Sequence, residues 1–252
     1  LALELREHLP RNVVWTDPVS AARFSALWTP KGKAVLEQNP ALSEVFAEIR
    51  SNVANAEASR VLPDRVGVPL KKGGAAVVER IAGEKRRAYT RAGVFRVSLP
   101  DQQSFVLKVG RRHDKTVDGR DLWSALMARG AKCNAVEQYA QFDADSRGEF
   151  FLQLMEDRKE PAYQEILDND LKQAPFRGRL MAIQRRFNEE QARLQRLGLL
   201  DVSKANCFVS PDGQLHWFDL RVEDRTIQLF KQLLKKGQGA IAEHLRTPNL
   251  RG

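Results

Sequence analysis

The sequence predicts an α+β protein. Three stretches carry that expectation. Residues 76–109 hold short runs of apolar residues separated by turn residues, as an antiparallel meander does. Residues 177–197 repeat apolar side chains at intervals of three and four, as a long amphipathic helix does. Residues 199–220 read as a polar loop, a short strand, a Pro211-Asp212-Gly213 turn, a second short strand and an acid.

In chain order, residues 1–75 read as a helical N-terminal extension. Asp17 before Pro18 is an N-cap with proline at the first helical position, and the helix it starts is expected to reach Trp28. A second helix is expected over residues 40–56, with Leu42, Val45, Phe46, Ile49, Val53 and Ala56 on one face. Nothing in this region bears chemistry; packing and contact with a partner are equal readings of it. The Gly67 to Gly74 run, rich in Gly, Pro and Lys, is expected to be a domain boundary. The compact domain then covers residues 76–252, divided near 156/157.

Within that domain, strands are expected over residues 76–81, 94–99 and 104–109, with a basic loop over 83–90. After a polar loop at 110–121 comes a helical segment, bent near Gly130. Its second part, residues 131–142, places Glu137 near the side formed by Ala131, Ala135 and Tyr139. A further strand over 149–155 ends at Glu156-Asp157, and residues 161–171 are short and acidic. The long helix carries Leu180, Ile183, Phe187, Gln191, Leu194 and Leu197, and Gly198 stops it. Helical pieces near 227–234 and 240–245 close the chain.

Composition narrows the function. With 42% apolar and 29% charged residues in 252, the chain has the balance of a folded protein. No run approaches the ~18 apolar residues of a membrane span. Cys133 and Cys207 have the spacing of neither a zinc site nor a disulfide framework. The net charge of +9 suggests acidic partners, although its Lys and Arg are scattered as on an ordinary solvated face. Aromatic residues are not interleaved with them, which disfavours single-strand nucleic-acid binding. The sequence opens Leu-Ala-Leu without an initiator Met, as a trimmed chain would, and removal of a targeting signal fits the same observation.

Four residues have the types that phosphoryl transfer requires: cations on phosphates, hard oxygen ligands for a metal, and a carboxylate facing the attacking hydroxyl. Lys108, between Leu107 and Val109 at a strand end, is either a solvated side chain or a phosphate ligand held in place by Glu137. Asp219 offers a carboxylate for magnesium and Asn206 a neutral amide oxygen. Asp201 has the position to orient an acceptor hydroxyl or take its proton.

Asp201 and Asn206 are separated by four residues, and Asp219 lies thirteen beyond Asn206. Those intervals, with Lys108 in Phe105-Val-Leu-Lys108, resemble the protein kinase-like superfamily. The resemblance covers roughly residues 76–235. It implies a two-lobed kinase-like fold with a reduced C-lobe. It also implies ATP and Mg2+ as cofactors, Asn206 and Asp219 as metal ligands, and Glu137 as the partner of Lys108. Gly93 would stand in the phosphate loop, and Glu156 would lie at the end of the strand before the adenine-contacting hinge. Departures accompany it. Leu199 stands where a His or Tyr is usual, Ser203 where a Lys is frequent, and Leu220 where a Gly follows the metal Asp. Gly93 is the one glycine in residues 88–95, and Glu137 is 29 residues past Lys108. Only 33 residues follow Asp219, so the resemblance points to compact kinases of the kind bacterial pathogens inject into host cells. It implies a host protein substrate accepting at Ser or Thr, possible dependence on an activating partner protein, secretion into the host cell, and a cytoplasmic location if the chain is not an effector. A pseudokinase, a kinase-fold transferase such as an AMPylase, and a basic nucleic-acid-binding protein are the alternative readings.

Overall fold

The runs of residues 75–111 form three consecutive antiparallel strands, and five others join them in one sheet. The computed structural model describes residues 11–16, 23–55, 64–82, 93–111, 119–144, 149–169, 174–176 and 178–246. The elements in order are β1 (Arg11–Thr16), β2 (Arg23–Trp28), α1 (Pro30–Gln38), α2 (Ala41–Asn55), β3 (Arg65–Pro69), β4 (Ala75–Ala82), β5 (Gly93–Ser98), β6 (Ser104–Arg111), α3 (Arg120–Gly130), β7 (Gln138–Asp143), β8 (Phe150–Glu156), α4 (Tyr163–Asp168), α5 (Leu180–Arg196), β9 (Cys207–Val209), β10 (Leu215–Trp217), α6 (Asp224–Lys236) and α7 (Gln238–Arg246). The described residues fall into two compact units. The sheet unit comes from Pro10–Thr116 and Gln138–Asp157; the helical unit comes mainly from Val117–Glu137 and Arg158–Gly252.

The sheet unit is an antiparallel sheet of order β1-β2-β7-β8-β6-β5-β4-β3. β5 alternates buried and half-buried residues, with Phe95 and Val97 in the core. Helix α2 supplies Leu42, Val45, Phe46, Ile49 and Val53, all at most 1% exposed, which is the apolar face expected of it. Phe46 meets Phe142 of β7 edge-on at 4.8 Å. Thr29 caps α1: its hydroxyl accepts from Gly32 N–H at 2.9 Å.

Four expectations are corrected here. Residues 11–75 are not a helical extension, because β1, β2 and β3 are strands of the same sheet. Arg23–Trp28 is a strand paired with β1 and β7, not the end of a helix, and Asp17 and Pro18 lie outside the described residues. The Gly67 to Gly74 run is no domain boundary: it contains the β3–β4 hairpin turn, where Gly73 (φ 93°) and Gly74 (φ 80°) take left-handed conformations. The helix expected over 131–142 is also absent. α3 ends at Gly130, residues 131–137 are irregular, and 138–143 are strand β7, whose residues are buried from Gln138 to Phe142. A strand covered on both faces has no alternation, so its aromatic and small residues imitate a helical period.

The helical unit packs α3, α5, α6 and the β9–β10 hairpin around Leu126, Phe187, Leu194, Leu197, Trp217 and Phe230. The helix expected from Arg177 begins at Leu180. It ends in a Schellman motif: Gly198 N–H donates to Gln195 O at 2.9 Å and Leu199 N–H to Leu194 O at 3.0 Å, with Gly198 at φ 86°. No described helix is long and apolar enough to cross a membrane.

Candidate active site

The Schellman turn delivers the chain directly into Leu200 and Asp201. Leu200 and Arg221 exchange both backbone hydrogen bonds, at 2.9 and 3.0 Å. That two-residue bridge holds the segments carrying Asp201 and Asp219 side by side. Gln191, counted on the apolar face of α5, instead donates to Val202 O at 2.7 Å and fixes the loop. The hairpin is secured at its turn, where Arg186 and Arg179 donate to the carbonyls of Gly213 (2.6 Å) and Pro211 (2.9 Å). It is secured along β10, where Trp217 N–H donates to Asn134 O at 3.1 Å and Val136 N–H to Trp217 O at 2.9 Å.

Asn206 connects the two acids. Its Nδ2 donates to Asp201 O at 3.0 Å, and its own carbonyl accepts from Phe218 N–H, next to Asp219, at 3.1 Å. The amide oxygen Oδ1 keeps its lone pairs, with no hydrogen-bond partner among the described residues. Asp201 and Asp219 both have positive φ, 59° and 48°. Side chains other than glycine rarely take that region, and carboxylates and amides tolerate it best. Both residues are exposed. Among the described residues the Asp201 carboxylate has no side-chain partner, whereas Asp219 Oδ1 accepts from Arg120 Nη2 at 3.3 Å.

The sequence did not single out Arg120. It is the first residue of α3, 99 positions from Asp219, and only folding reveals the pair. Its neighbour Asp121, 4% exposed, is the carboxylate that α3 carries. Glu137 is on no helix. It is 7% exposed, follows α3 through an irregular segment, and accepts from Arg129 Nη2 at 2.8 Å. Lys204 lies with its ammonium 5.6 Å from the Tyr163 ring centre, a cation–π contact. Arg221 is exposed.

Beneath the site is a buried ionisable group that sequence reading also passed over. Glu190, 6% exposed, accepts from Trp217 Nε1 at 2.7 Å, and its closest guanidinium, that of Arg193, is 4.0 Å away. Burial pushes its carboxyl above the ordinary 4.5, against the lowering effects of Trp217, Arg193 and Arg186. Burial, and then the Glu190 charge, push the thiols of Cys133 and Cys207 up as well, so both remain protonated and inert.

Lys108, Gly93 and Glu156 belong to the sheet unit. Lys108 is half-buried on β6, opposite Val94 and Gln153. Glu156 ends β8 opposite Phe105. Gly93 begins β5 opposite Val109, and a Cβ there would run into the Arg80 guanidinium and the Phe95 ring. Arg80 lies 4.7 Å over that ring and pairs with Asp64 at 3.0 Å. Packing thus gives one reason for a glycine here. The basic loop before it, residues 83–92, lies outside the described residues.

No protein-family model and no curated protein matches the chain. Among solved structures it is similar to the MAP kinase LmaMPK10 from Leishmania major, at 14% identity and a TM-score of 0.33, covering 84% of this chain and 63% of that one. The chain thus spans less than two thirds of that kinase's length. A likeness this slight leaves the chemical reading to the site itself.

The donor set suits a hard cation: one carboxylate from Asp219 and one neutral amide oxygen from Asn206. Among the described residues no three His, Cys, Asp or Glu side chains group as metal ligands. Oxygens of a bound substrate would therefore have to complete the coordination, as they do in magnesium sites that act on phosphates.

Proposed function

We propose that the chain transfers a phosphoryl group from ATP, with magnesium, to a hydroxyl acceptor, Ser or Thr of a host protein. The observation that carries this reading is the Asn206 tie, which joins the Asp201 backbone to the strand end bearing Asp219 and leaves Oδ1 open. Asn206 and Asp219 would hold magnesium, which supplies charge neutralisation at the phosphates. Asp201 orients the acceptor hydroxyl. As the new oxygen–phosphorus bond forms and the β–γ bridging bond breaks, the hydroxyl proton passes to the Asp201 carboxylate and ADP leaves. Lys108 would contact the nucleotide phosphates, and Glu156 would lie near the adenine. The resemblance would make Glu137, which accepts from Arg129 Nη2, the residue that orients Lys108. A host-cell location and an activating partner accompany the effector form of the reading; a cytoplasmic location accompanies its absence.

The test is magnesium-dependent modification of a broad protein substrate set, read by intact mass, with wild type, Asp219→Asn and Asp201→Asn. The expected gain is one phosphoryl rather than one adenylyl group per site. The Asp201 variant should lose roughly 100-fold or more of the rate. Equal incorporation by wild type and Asp219→Asn would sink the assignment.

One observation favours a second reading, that of a pseudokinase acting as a nucleotide- or protein-binding module. Arg120 already neutralises Asp219 at 3.3 Å, so a metal would compete with an internal cation. Under that reading ATP with magnesium raises Tm without turnover, and Arg120→Ala increases the rise.

A further inference from the structure

We infer that the helical unit carries a second ligand site, for a small, multiply phosphorylated anion, at the far end of α3 from Arg120. A cavity of about 470 Å3 is lined there by the end of α3, the end of α5 and helix α7. Its volume is in the range of small-molecule pockets, roughly 300–1,000 Å3. Lys132, Arg193, Arg196 and Arg246 bring four cations to it, and none of its lining residues is acidic. Ala131, Ile241, Ala242 and Leu245 provide apolar surface between them.

Four like charges around one hollow repel one another, so the arrangement is most stable with anionic charge between them. The internal pairing is sparse. Arg196 Nη1 donates to Leu245 O at 2.9 Å, which positions the guanidinium and leaves its other donors available. Arg193 reaches a carboxylate, Glu190, only at 4.0 Å. Lys132 and Arg246 have no carboxylate partner among the described residues and are exposed. Two buried donors, Arg193 Nε and Gln238 Nε2, have no acceptor among the described residues, and both residues line the cavity. Lys132 also holds a left-handed conformation, φ 57°, that a lysine adopts only at a conformational cost. The first residues of α7, Gln238 and Gly239, lie in the same wall, adding the positive end of a helix.

Phosphate groups fit this site better than single carboxylates, because each brings nearly two charges in a small volume and its oxygens accept from guanidinium forks. The apolar surface accommodates an uncharged organic part. α3 spans eleven residues, so its two ends are about 15 Å apart, and a ligand here is separate from the Asp219 carboxylate.

Inorganic tripolyphosphate is the probe, titrated calorimetrically into the full chain at low salt. Saturable one-to-one binding is expected. It should weaken about tenfold or more in Lys132→Glu/Arg246→Glu and remain within about twofold of wild type in Lys235→Glu/Lys236→Glu, which makes the same charge change on exposed residues of α6 outside the cavity. Asp219→Asn should leave it unchanged, which separates this site from the proposed catalytic one. Unaltered Tm in the double variants shows that they are folded. Absence of saturable binding, equal losses in the two double variants, or loss in Asp219→Asn would each overturn the proposal.

Discussion

In the sheet unit the deeply buried polar side chains are mostly neutral amides. Gln138, Gln141 and Gln153 are at most 4% exposed, and Gln153 Nε2 donates to Gln138 Oε1 at 2.7 Å. Where this unit buries an acid, Asp157, an arginine meets it: Arg96 Nε is 2.8 Å away. The helical unit treats its central acid differently. Glu190 has a neutral indole donor at 2.7 Å and a guanidinium only at 4.0 Å, with two thiols nearby. A close, full countercharge compensates a buried carboxylate; a single neutral hydrogen bond does so only in part, and burial then favours the protonated acid. The stability of the helical unit should therefore change with pH between mild acid and neutral.

The largest effect comes from truncating the aromatic contact beneath the sheet. Phe46→Ala removes a fully buried ring packed on Phe142 and should cost about 3–5 kcal/mol. The loss should be the same at acid and neutral pH, as read from denaturant midpoints followed at both. A pH-dependent loss would break the comparison.

Trp217→Phe should cost about 1–3 kcal/mol, since Glu190 loses its buried donor. Here pH matters. The folded carboxyl lies above its ordinary 4.5, so its stabilising contribution is complete below that pH and is lost as pH rises through the folded value. Glu190→Gln keeps an acceptor for the indole and cannot ionise. Its stability relative to wild type should thus improve from acid to neutral pH, and a flat difference between the two proteins would show that Glu190 does not titrate there.

Gly93→Ala tests the packing account of that glycine. Its Cβ would displace the Arg80 guanidinium from beside Phe95 and cost about 1–3 kcal/mol in thermal unfolding, with no dependence on nucleotide. A stable variant whose Tm gain from ATP has vanished would move Gly93 from packing to phosphate contact.

These contrasts also explain what was legible beforehand. β4, β5 and β6 pair with their neighbours in sequence, and β5 alternates between buried and half-buried residues, so their pattern is local. The α5 stripe and its Gly198 stop are local too. β2 and β7 are not: Ala26 pairs with Phe142 and Trp28 with Ala140, more than a hundred residues away, and that pairing outweighs the helical reading of residues 23–28. At the candidate site the intervals among Asp201, Asn206 and Asp219 could be read directly. The Arg120 pair could not, because nothing in either segment encodes a partner 99 residues distant. Glu190 was hidden by the same rule that revealed α5, for a stripe of apolar residues gives no sign that a carboxylate faces inward beside them.

The smallest expected effect concerns the left-handed acids. An alanine at φ 59° or 48° retains the steric penalty of about 1–2 kcal/mol that glycine escapes. Glycine offsets part of that advantage, by about 0.4–1 kcal/mol, through the greater freedom of its unfolded chain. Asp201→Gly and Asp219→Gly should therefore be more stable than the matching alanine variants by about 0.5–1 kcal/mol in denaturant unfolding. A β-strand position such as Val97 should show the reverse order, because there glycine has only its entropic disadvantage. If glycine and alanine prove equal at 201 and 219, the backbone at those positions is not held in the left-handed region in solution. The acids would then owe their placement to the Asn206 and Leu200–Arg221 hydrogen bonds alone.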